Sequence, residues 1–285
     1  MTIAVSTTVF PEPLVDPARL PDLEGIEAVE FSGGPPMDLE GFSALARAVH
    51  VAGVRHVLVH NYYPPPPAPF VLNFATADPA ILERCLDLAR DALAACALAG
   101  APHWSFHPGY RRDGRELPDG HFAFDGEQAS MEKTLSRFLA NFPRLQALAD
   151  VAGIPLVVEN LFPKPGEVTS LCNTRRELLE TFDALPAGTG FLLDLGHWNV
   201  SARVLGFDRD RELDRLLDTL APRLREVHLS ANTGLADDHL PLERGDWQLD
   251  VLPRLRGTRA VFTLESRRLP PAVLRRTLEV IKDAL

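Results

Sequence analysis

A chain of 285 residues with 46% hydrophobic and 24% charged residues has the composition of a globular protein and the length of one α/β barrel. Its formal net charge of −10 disfavours broad binding to nucleic acid or to an anionic membrane surface. No stretch approaches the ~18 uninterrupted apolar residues of a membrane span, and the first residues do not resemble a signal peptide. The three cysteines, Cys85, Cys96 and Cys172, lack ligand-like spacing, so we expect a reduced, cytoplasmic protein.

Eight apolar runs of strand character alternate with helical patterns along the chain. The runs lie near residues 2–6, 27–32, 54–60, 103–107, 154–159, 190–195, 224–229 and 260–265. The clearest helical patterns cover residues 79–99, 128–152, 174–185, 209–220, 246–255 and 271–285. Asp78 before Pro79 is typical of a helix start, and Gly100 and Gly153 are typical of helix ends. This alternation predicts an α/β fold, a (β/α)8 TIM barrel that fills residues 1–285 as a single domain.

Four acidic or imidazole side chains stand at the ends of four successive predicted strands. Glu159 closes one run, and Asp194, His228 and Glu265 follow the next three. Neighbouring members are roughly one βα unit apart, so parallel strands would bring all four to one face of the barrel. Two glutamates, an aspartate and a histidine suit Mn²⁺, Mg²⁺, Co²⁺ or Zn²⁺. A carboxylate at a strand end also caps helices or pairs with arginine, but the fourfold recurrence predicts a metalloenzyme.

The segments around these residues resemble the xylose isomerase-like barrel superfamily, which includes sugar-phosphate isomerases and epimerases as well as endonuclease IV. The segments are 158–160, 194–197, 227–234, 237–242 and 264–265. The resemblance implies one divalent metal bound by Glu159, Asp194, His228 and Glu265, and a sugar or sugar-phosphate substrate. It also implies isomerisation or epimerisation through a metal-stabilised enediolate, with Glu159 and Glu265 transferring protons and His197 steadying a substrate oxygen.

Two further segments resemble endonuclease IV and keep a second function open. The nuclease stretch after the third strand is similar to residues 60–63 and 72–73. Its fourth-strand stretch is similar to residues 106–109. By this analogy two to three zinc ions would be bound, and the added ligands would be His60, His107, His197, Asp237 and His239. The alternative is therefore a multinuclear zinc phosphodiesterase acting on abasic-site DNA or a small phosphodiester. Residues 31–36 and 161–165 depart from the nuclease and put DNA binding in doubt.

The remaining candidates have both structural and functional interpretations. The structural interpretation of His60 and His107 is that they are hydrogen-bonded polar residues of the barrel mouth. The structural interpretation of Asp237 and His239 is that they lie in a solvated turn. Tyr63 and Trp198 are candidates for an apolar wall on which a sugar ring stacks, and Arg267 for a phosphate or carboxylate binder. We assign no functional role to His50, His56 and His121, and we expect His103 to be a strand residue that packs against its neighbours. An inactive barrel used as a binding module is a third function class, and a homo-oligomer is left open because relatives often pair barrels.

Overall fold

The computed structural model describes residues 1–21, 23–116, 122–124 and 126–285. Its strands are β1 (Ile3–Ser6), β2 (Ala28–Phe31), β3 (His56–His60), β4 (Trp104–Phe106), β5 (Gly114–Glu116), β6 (Phe122–Phe124), β7 (Leu156–Glu159), β8 (Gly190–Asp194), β9 (Leu224–Leu229) and β10 (Val261–Leu264). All except β5 and β6 form a closed parallel barrel in the order β1-β2-β3-β4-β7-β8-β9-β10, with β10 paired to β1. The predicted (β/α)8 TIM barrel is confirmed.

The helices surround the barrel and connect its strands. They are α1 (Leu39–Val51), α2 (Pro79–Ala99), α3 (Met131–Ala152), α4 (Arg175–Ala184), α5 (Leu195–Leu205), α6 (Arg209–Leu220), α7 (Trp247–Val251) and α8 (Pro271–Ala284). The helical pattern predicted at 246–255 divides into α7 and a 3-10 turn at Leu252–Leu255. Within the described part of the chain, no helix is both long and apolar enough to cross a membrane.

The predicted helix boundaries follow from local hydrogen bonding. The Asp78 carboxylate accepts a hydrogen bond from the N–H of Ala80 at 2.8 Å, and Pro79 occupies the first helical position of α2. Gly100 and Gly153 end α2 and α3 with φ values of 66° and 67°. This left-handed conformation is one that glycine adopts without steric cost, so the predicted helix ends are confirmed.

The inner face of the barrel changes from small and apolar to polar towards the carboxyl ends of the strands. Ala4, Ala28 and Leu58 form a separate buried cluster. Two residues further along β2 and β3, and therefore on the same face, lie Glu30 and His60, both buried. The fold thus places a layer of buried polar side chains directly below the mouth of the barrel.

Candidate metal centre

The four predicted ligands come together at the carboxyl ends of β7, β8, β9 and β10. Glu159 and Asp194 end their strands, His228 is the penultimate residue of β9, and Glu265 directly follows β10. The Nδ1 atom of His228 lies 3.3 Å from Glu265 Oε2, 3.8 Å from Asp194 Oδ2 and 3.9 Å from Glu159 Oε1. All four side chains are buried. The parallel register, which pairs Asp194 directly with His228, produces this convergence.

Two ligand atoms of the quartet lack a hydrogen-bond partner within the described residues. These atoms are Asp194 Oδ2 and His228 Nδ1, and each is fully buried. A buried polar atom without a partner costs free energy, so such atoms need another explanation. Ligand atoms about 2.0–2.2 Å from one cation are roughly 3.0–3.4 Å apart. The separation of 3.3 Å between His228 and Glu265 falls in this range, and those of 3.8 and 3.9 Å to Asp194 and Glu159 exceed it by about half an ångström. The donor set of the quartet therefore fits a divalent cation.

A second group of possible ligands adjoins the quartet through Glu159. The Nε2 atoms of His107 and His60 lie 3.1 Å and 3.5 Å from Glu159 Oε2, and the three side chains offer a compact set of ligand atoms. The Nδ1 atom of His60 contacts the Ser105 hydroxyl at 2.9 Å. Burial lowers the pKa of His60 to about 4, so this ring is neutral near pH 7. The structure thus brings together the residues that a second metal would require.

The environment of His107 favours a hydrogen-bond donor over a metal ligand. The Asn61 side-chain oxygen accepts a hydrogen bond from the backbone N–H of His107 at 3.4 Å. This contact turns the amide nitrogen of Asn61 towards Nδ1 of His107, at 3.2 Å. Because Nδ1 accepts that bond, it carries no proton, and the ring proton lies on Nε2, the nitrogen that faces Glu159. A neutral imidazole bound to a metal through Nε2 needs its proton on Nδ1 instead.

His197, in the first turn of α5, lies beside Glu159 and is held by the backbone. Its Nδ1 donates to the carbonyl oxygen of Asn160 at 2.8 Å and lies 3.1 Å from Glu159 Oε1. Its Nε2 lies 3.5 Å from Asp237 Oδ2. Burial alone would lower the pKa of His197, but the carboxylates of Asp194 and Asp237 raise it well above the usual value. His197 is therefore a fixed hydrogen-bond donor at the edge of the quartet.

Asp237, His239 and Arg267 form a connected polar cluster next to the quartet. The Nε2 atom of His239 lies 2.5 Å from Asp237 Oδ2 and 2.8 Å from Nη2 of Arg267. The Nδ1 atom of His239 donates to the backbone oxygen of Glu265 at 2.9 Å. His239 is buried, whereas the Arg267 side chain is exposed. The loop after β9 is therefore tied to the end of β10, with one guanidinium at its outer edge.

Burial is the largest single cause of a pKa shift in each acidic member of the quartet, but the neighbouring imidazoles together outweigh it in two of them. It raises the pKa of Asp194 to about 6. For Glu265 the imidazoles of His228 and His239 outweigh burial and lower the pKa to about 2. For Glu159 the imidazoles of His107 and His197 likewise outweigh burial and hold the pKa well below its usual range. The neighbouring imidazoles thus keep two of the three carboxylates ionised in a buried site.

The predicted stacking role of Tyr63 and Trp198 is wrong, because both side chains belong to the core. Trp198 is 0% exposed, and its ring packs against that of Phe207 with centroids 5.2 Å apart. Tyr63 is 2% exposed and packs against Phe31 at 5.1 Å, while its hydroxyl contacts the sulfur of Met37. Neither ring presents a face to the site. Their contribution is therefore to packing, which stabilises the elements that carry the candidate ligands.

Two residues of the site were missed by the sequence reasoning. Phe162 is partly exposed, and its ring centroid lies 4.6 Å from that of His197, so it supplies an apolar surface beside the quartet. Glu30 is fully buried in β2 and accepts a hydrogen bond from Nε2 of His228 at 3.0 Å. A charged residue inside an apolar strand run was the available signal for Glu30. Phe162 follows a strand end without any distinctive pattern.

The other histidines lie away from the quartet or outside the described residues. His103 is buried and its Nε2 lies 3.0 Å from Glu226 Oε2, so it is packed as expected. His50 and His56 are exposed. His121 lies outside the described residues.

Comparison with known proteins places this arrangement in a family of barrels. The model of the family "Xylose isomerase-like TIM barrel" matches residues 20–284. No match was found among curated proteins. A D-tagatose 3-epimerase-like protein has a TM-score of 0.74 at 20% identity, over 100% of this chain and 97% of that chain. The 3-keto-D-glucoside 4-epimerase from E. coli has a TM-score of 0.70 at 14% identity, over 100% and 98%.

A third solved structure agrees with these two. It is the D-psicose 3-epimerase from Clostridium cellulolyticum H10, with a TM-score of 0.68 at 11% identity, over 99% of this chain and 97% of that chain. At these identities the structural likeness establishes the fold. The chemistry has to be argued from the residues of the site.

Proposed function

Because the chain belongs to the xylose isomerase-like TIM-barrel family, we propose that it is a divalent-metal-dependent isomerase or epimerase of a sugar or sugar phosphate. The observation that carries the proposal is the buried quartet of Glu159, Asp194, His228 and Glu265. Within it, Asp194 Oδ2 and His228 Nδ1 lie 3.8 Å apart and have no hydrogen-bond partner among the described residues. The names of the three similar structures, all of sugar epimerases or an epimerase-like protein, support the same substrate class.

In this proposal Glu159 and Glu265 are the catalytic acid–base pair. They extend from β7 and from the end of β10, with β8 and β9 between them, so they approach a bound substrate from two sides. One carboxylate removes the proton from the carbon next to the substrate carbonyl, and the other carboxyl group returns a proton. A divalent cation in the quartet would supply Lewis-acid stabilisation of the negative charge that develops on the substrate oxygens.

His197 and Phe162 complete the proposed substrate site. The hydrogen bond to Asn160 holds the His197 ring in place, and a fixed donor next to the quartet suits a carbonyl or hydroxyl oxygen of the sugar. The partly exposed ring of Phe162 offers the apolar surface that the sequence interpretation had assigned to Tyr63 and Trp198. Arg267, exposed beside His239, remains the candidate for contact with a phosphate group.

Solvent hydrogen exchange tests the proposed proton transfer before the natural substrate is known. The protein with added Mn²⁺ is incubated in D₂O with a panel of ketoses and ketose phosphates, and deuterium at carbon is followed by NMR. We expect incorporation into at least one sugar, and we expect Glu159→Gln and Glu265→Gln each to reduce it by at least about 100-fold. Glu279→Gln, at an exposed position of α8, is the matched control. Full turnover by either site variant would refute the proposed roles.

A zinc phosphodiesterase is the second candidate, and one observation favours it. His60 and His107 both lie within 3.5 Å of Glu159 Oε2, as a second metal would require. The Asn61 contact, which leaves the proton of His107 on Nε2, opposes that use of the ring. Incision of an abasic-site duplex and hydrolysis of a small phosphodiester, each with added Zn²⁺, test this candidate directly. Zinc-dependent turnover of either substrate would make it the leading function.

A further inference from the structure

The histidine of the quartet is supported from behind by a carboxylate that the proposed reaction does not use. Glu30 lies in β2, distant in sequence from His228, and both side chains are 0% exposed. Glu30 Oε2 accepts a hydrogen bond from Nε2 of His228 at 3.0 Å. The opposite ring nitrogen, Nδ1, has no hydrogen-bond partner within the described residues and faces Glu265 and Asp194.

We infer that Glu30 is a positioning residue that fixes the orientation and tautomer of His228 for metal binding. A neutral imidazole carries one proton, and a carboxylate acceptor at Nε2 keeps that proton on Nε2. The lone pair of Nδ1 is then directed into the quartet. A carboxylate behind a ligating histidine also makes the ligand nitrogen more basic and strengthens its bond to the metal. The inference rests on the proposed metal quartet, and it is independent of the substrate.

A second buried carboxylate provides an internal comparison at the same nitrogen. Glu226 Oε1 lies 3.7 Å from His228 Nε2, beyond hydrogen-bond distance. Its oxygens are already occupied, because the Thr263 hydroxyl donates to Oε1 at 2.6 Å and His103 Nε2 lies 3.0 Å from Oε2. Glu30→Gln and Glu226→Gln therefore each replace one buried carboxyl group near His228, but only Glu30→Gln alters the group that is hydrogen-bonded to His228.

Titration calorimetry of the chelator-treated full chain with Mn²⁺ measures affinity and stoichiometry separately from catalysis. We expect Glu30→Gln to weaken binding by about 10- to 100-fold without a change in stoichiometry, since an amide oxygen is a weaker acceptor than a carboxylate and holds the proton on Nε2 less firmly. Glu226→Gln should change the affinity by less than about 3-fold, although its disrupted contacts with His103 and Thr263 should lower the melting temperature.

Three results would overturn the inference. Glu30→Gln binding with wild-type affinity would rule out the positioning role, and an equal loss in Glu226→Gln would show that any nearby buried carboxyl group has the same effect. A drop in the number of bound ions in Glu30→Gln would make Glu30 a ligand itself. A wild-type protein that binds no ion would overturn the proposed metal-dependent function as well, which distinguishes the two failures.

Nitrogen NMR of the histidine rings tests the same inference without a variant that has to fold. In the chelator-treated wild type, long-range nitrogen–proton spectra report which ring nitrogen of His228 carries the proton. We expect the proton on Nε2, as the contact with Glu30 requires. A proton on Nδ1 would contradict the assignment.

Discussion

The two carboxylate oxygens of Asp194 have separate surroundings, so one substitution removes a candidate metal ligand while keeping a helix cap. Oδ1 accepts a hydrogen bond from the backbone N–H of His197 at 2.7 Å and caps α5. Oδ2 has no partner within the described residues and lies 3.8 Å from His228 Nδ1. Asparagine caps helices about as well as aspartate. We therefore expect Asp194→Asn to fold and to lose metal affinity.

The expected size of the effect follows from linkage between binding and folding. An ion at about 100 times its Kd stabilises the folded protein by ~2.7 kcal/mol. Unfolding entropy of ~2.1 cal/mol/K per residue gives roughly 0.6 kcal/mol/K for 285 residues, so the melting temperature should rise by about 4–5 °C. If Asp194→Asn weakens binding by about 100-fold, ~0.4 kcal/mol remains at the same ion concentration, which is a rise below about 1 °C.

Thermal unfolding followed by circular dichroism, with chelator and then with excess Mn²⁺, measures both quantities. Asp208→Asn is the matched control, because Asp208 caps α6 through the N–H of Arg211 at 3.1 Å and is exposed. The control should keep the full metal-induced rise. A full rise in Asp194→Asn would show that Asp194 is not a ligand, and a large loss of stability in chelator would show that its main role is structural.

Three other predictions test the packing and the metal dependence. Trp198→Ala should lower the free energy of unfolding by about 3–5 kcal/mol in urea titrations without changing the metal bound per folded chain; unchanged stability would contradict its core placement. Gly109→Ala should destabilise the protein, because φ is +133° and the added Cβ would lie 2.9 Å from the backbone nitrogen of Ala75; wild-type stability would contradict this geometry. Chelation should abolish deuterium incorporation into the sugar, and added Mn²⁺ should restore it; activity that persists in chelator would refute metal dependence.

The barrel and the quartet were predictable because both depend on local patterns. Apolar runs at βα spacing identify the strands, and parallel strands necessarily bring their carboxyl ends to one face. Glu159, Asp194, His228 and Glu265 could therefore be grouped without any tertiary information. Whether the grouping binds a metal is not decided by that pattern and stays a prediction.

Helix α5, the β5–β6 hairpin and the role of Glu30 were missed because they lack such a local signal, whereas α1 was missed although Asp38 caps it. Helix α5 begins directly after β8, so the apolar residues of the strand run into those of the helix without a loop. The hairpin of β5 and β6 lies within a long connection and has only three residues in each strand. Glu30 supports His228 across the barrel, a tertiary contact that no sequence spacing encodes.

The error at Trp198 has a geometric cause. His197 and Trp198 are adjacent in α5, and adjacent helical residues point about 100° apart. One side chain therefore faces Glu159 while the other packs against Phe207. Proximity in sequence indicated a shared site, but the helix directs the two rings to different surroundings.

Elemental analysis of protein purified without chelator or added metal is the decisive test of the proposed metal centre. We predict about one ion per chain, of Mn, Co, Mg or Zn, bound by Glu159, Asp194, His228 and Glu265. That content should fall to near zero in Asp194→Asn. Two to three zinc ions per chain would contradict the single-metal account and make His60 and His107 ligands. No bound ion, even after incubation with Mn²⁺ or Zn²⁺, would contradict the metal centre altogether.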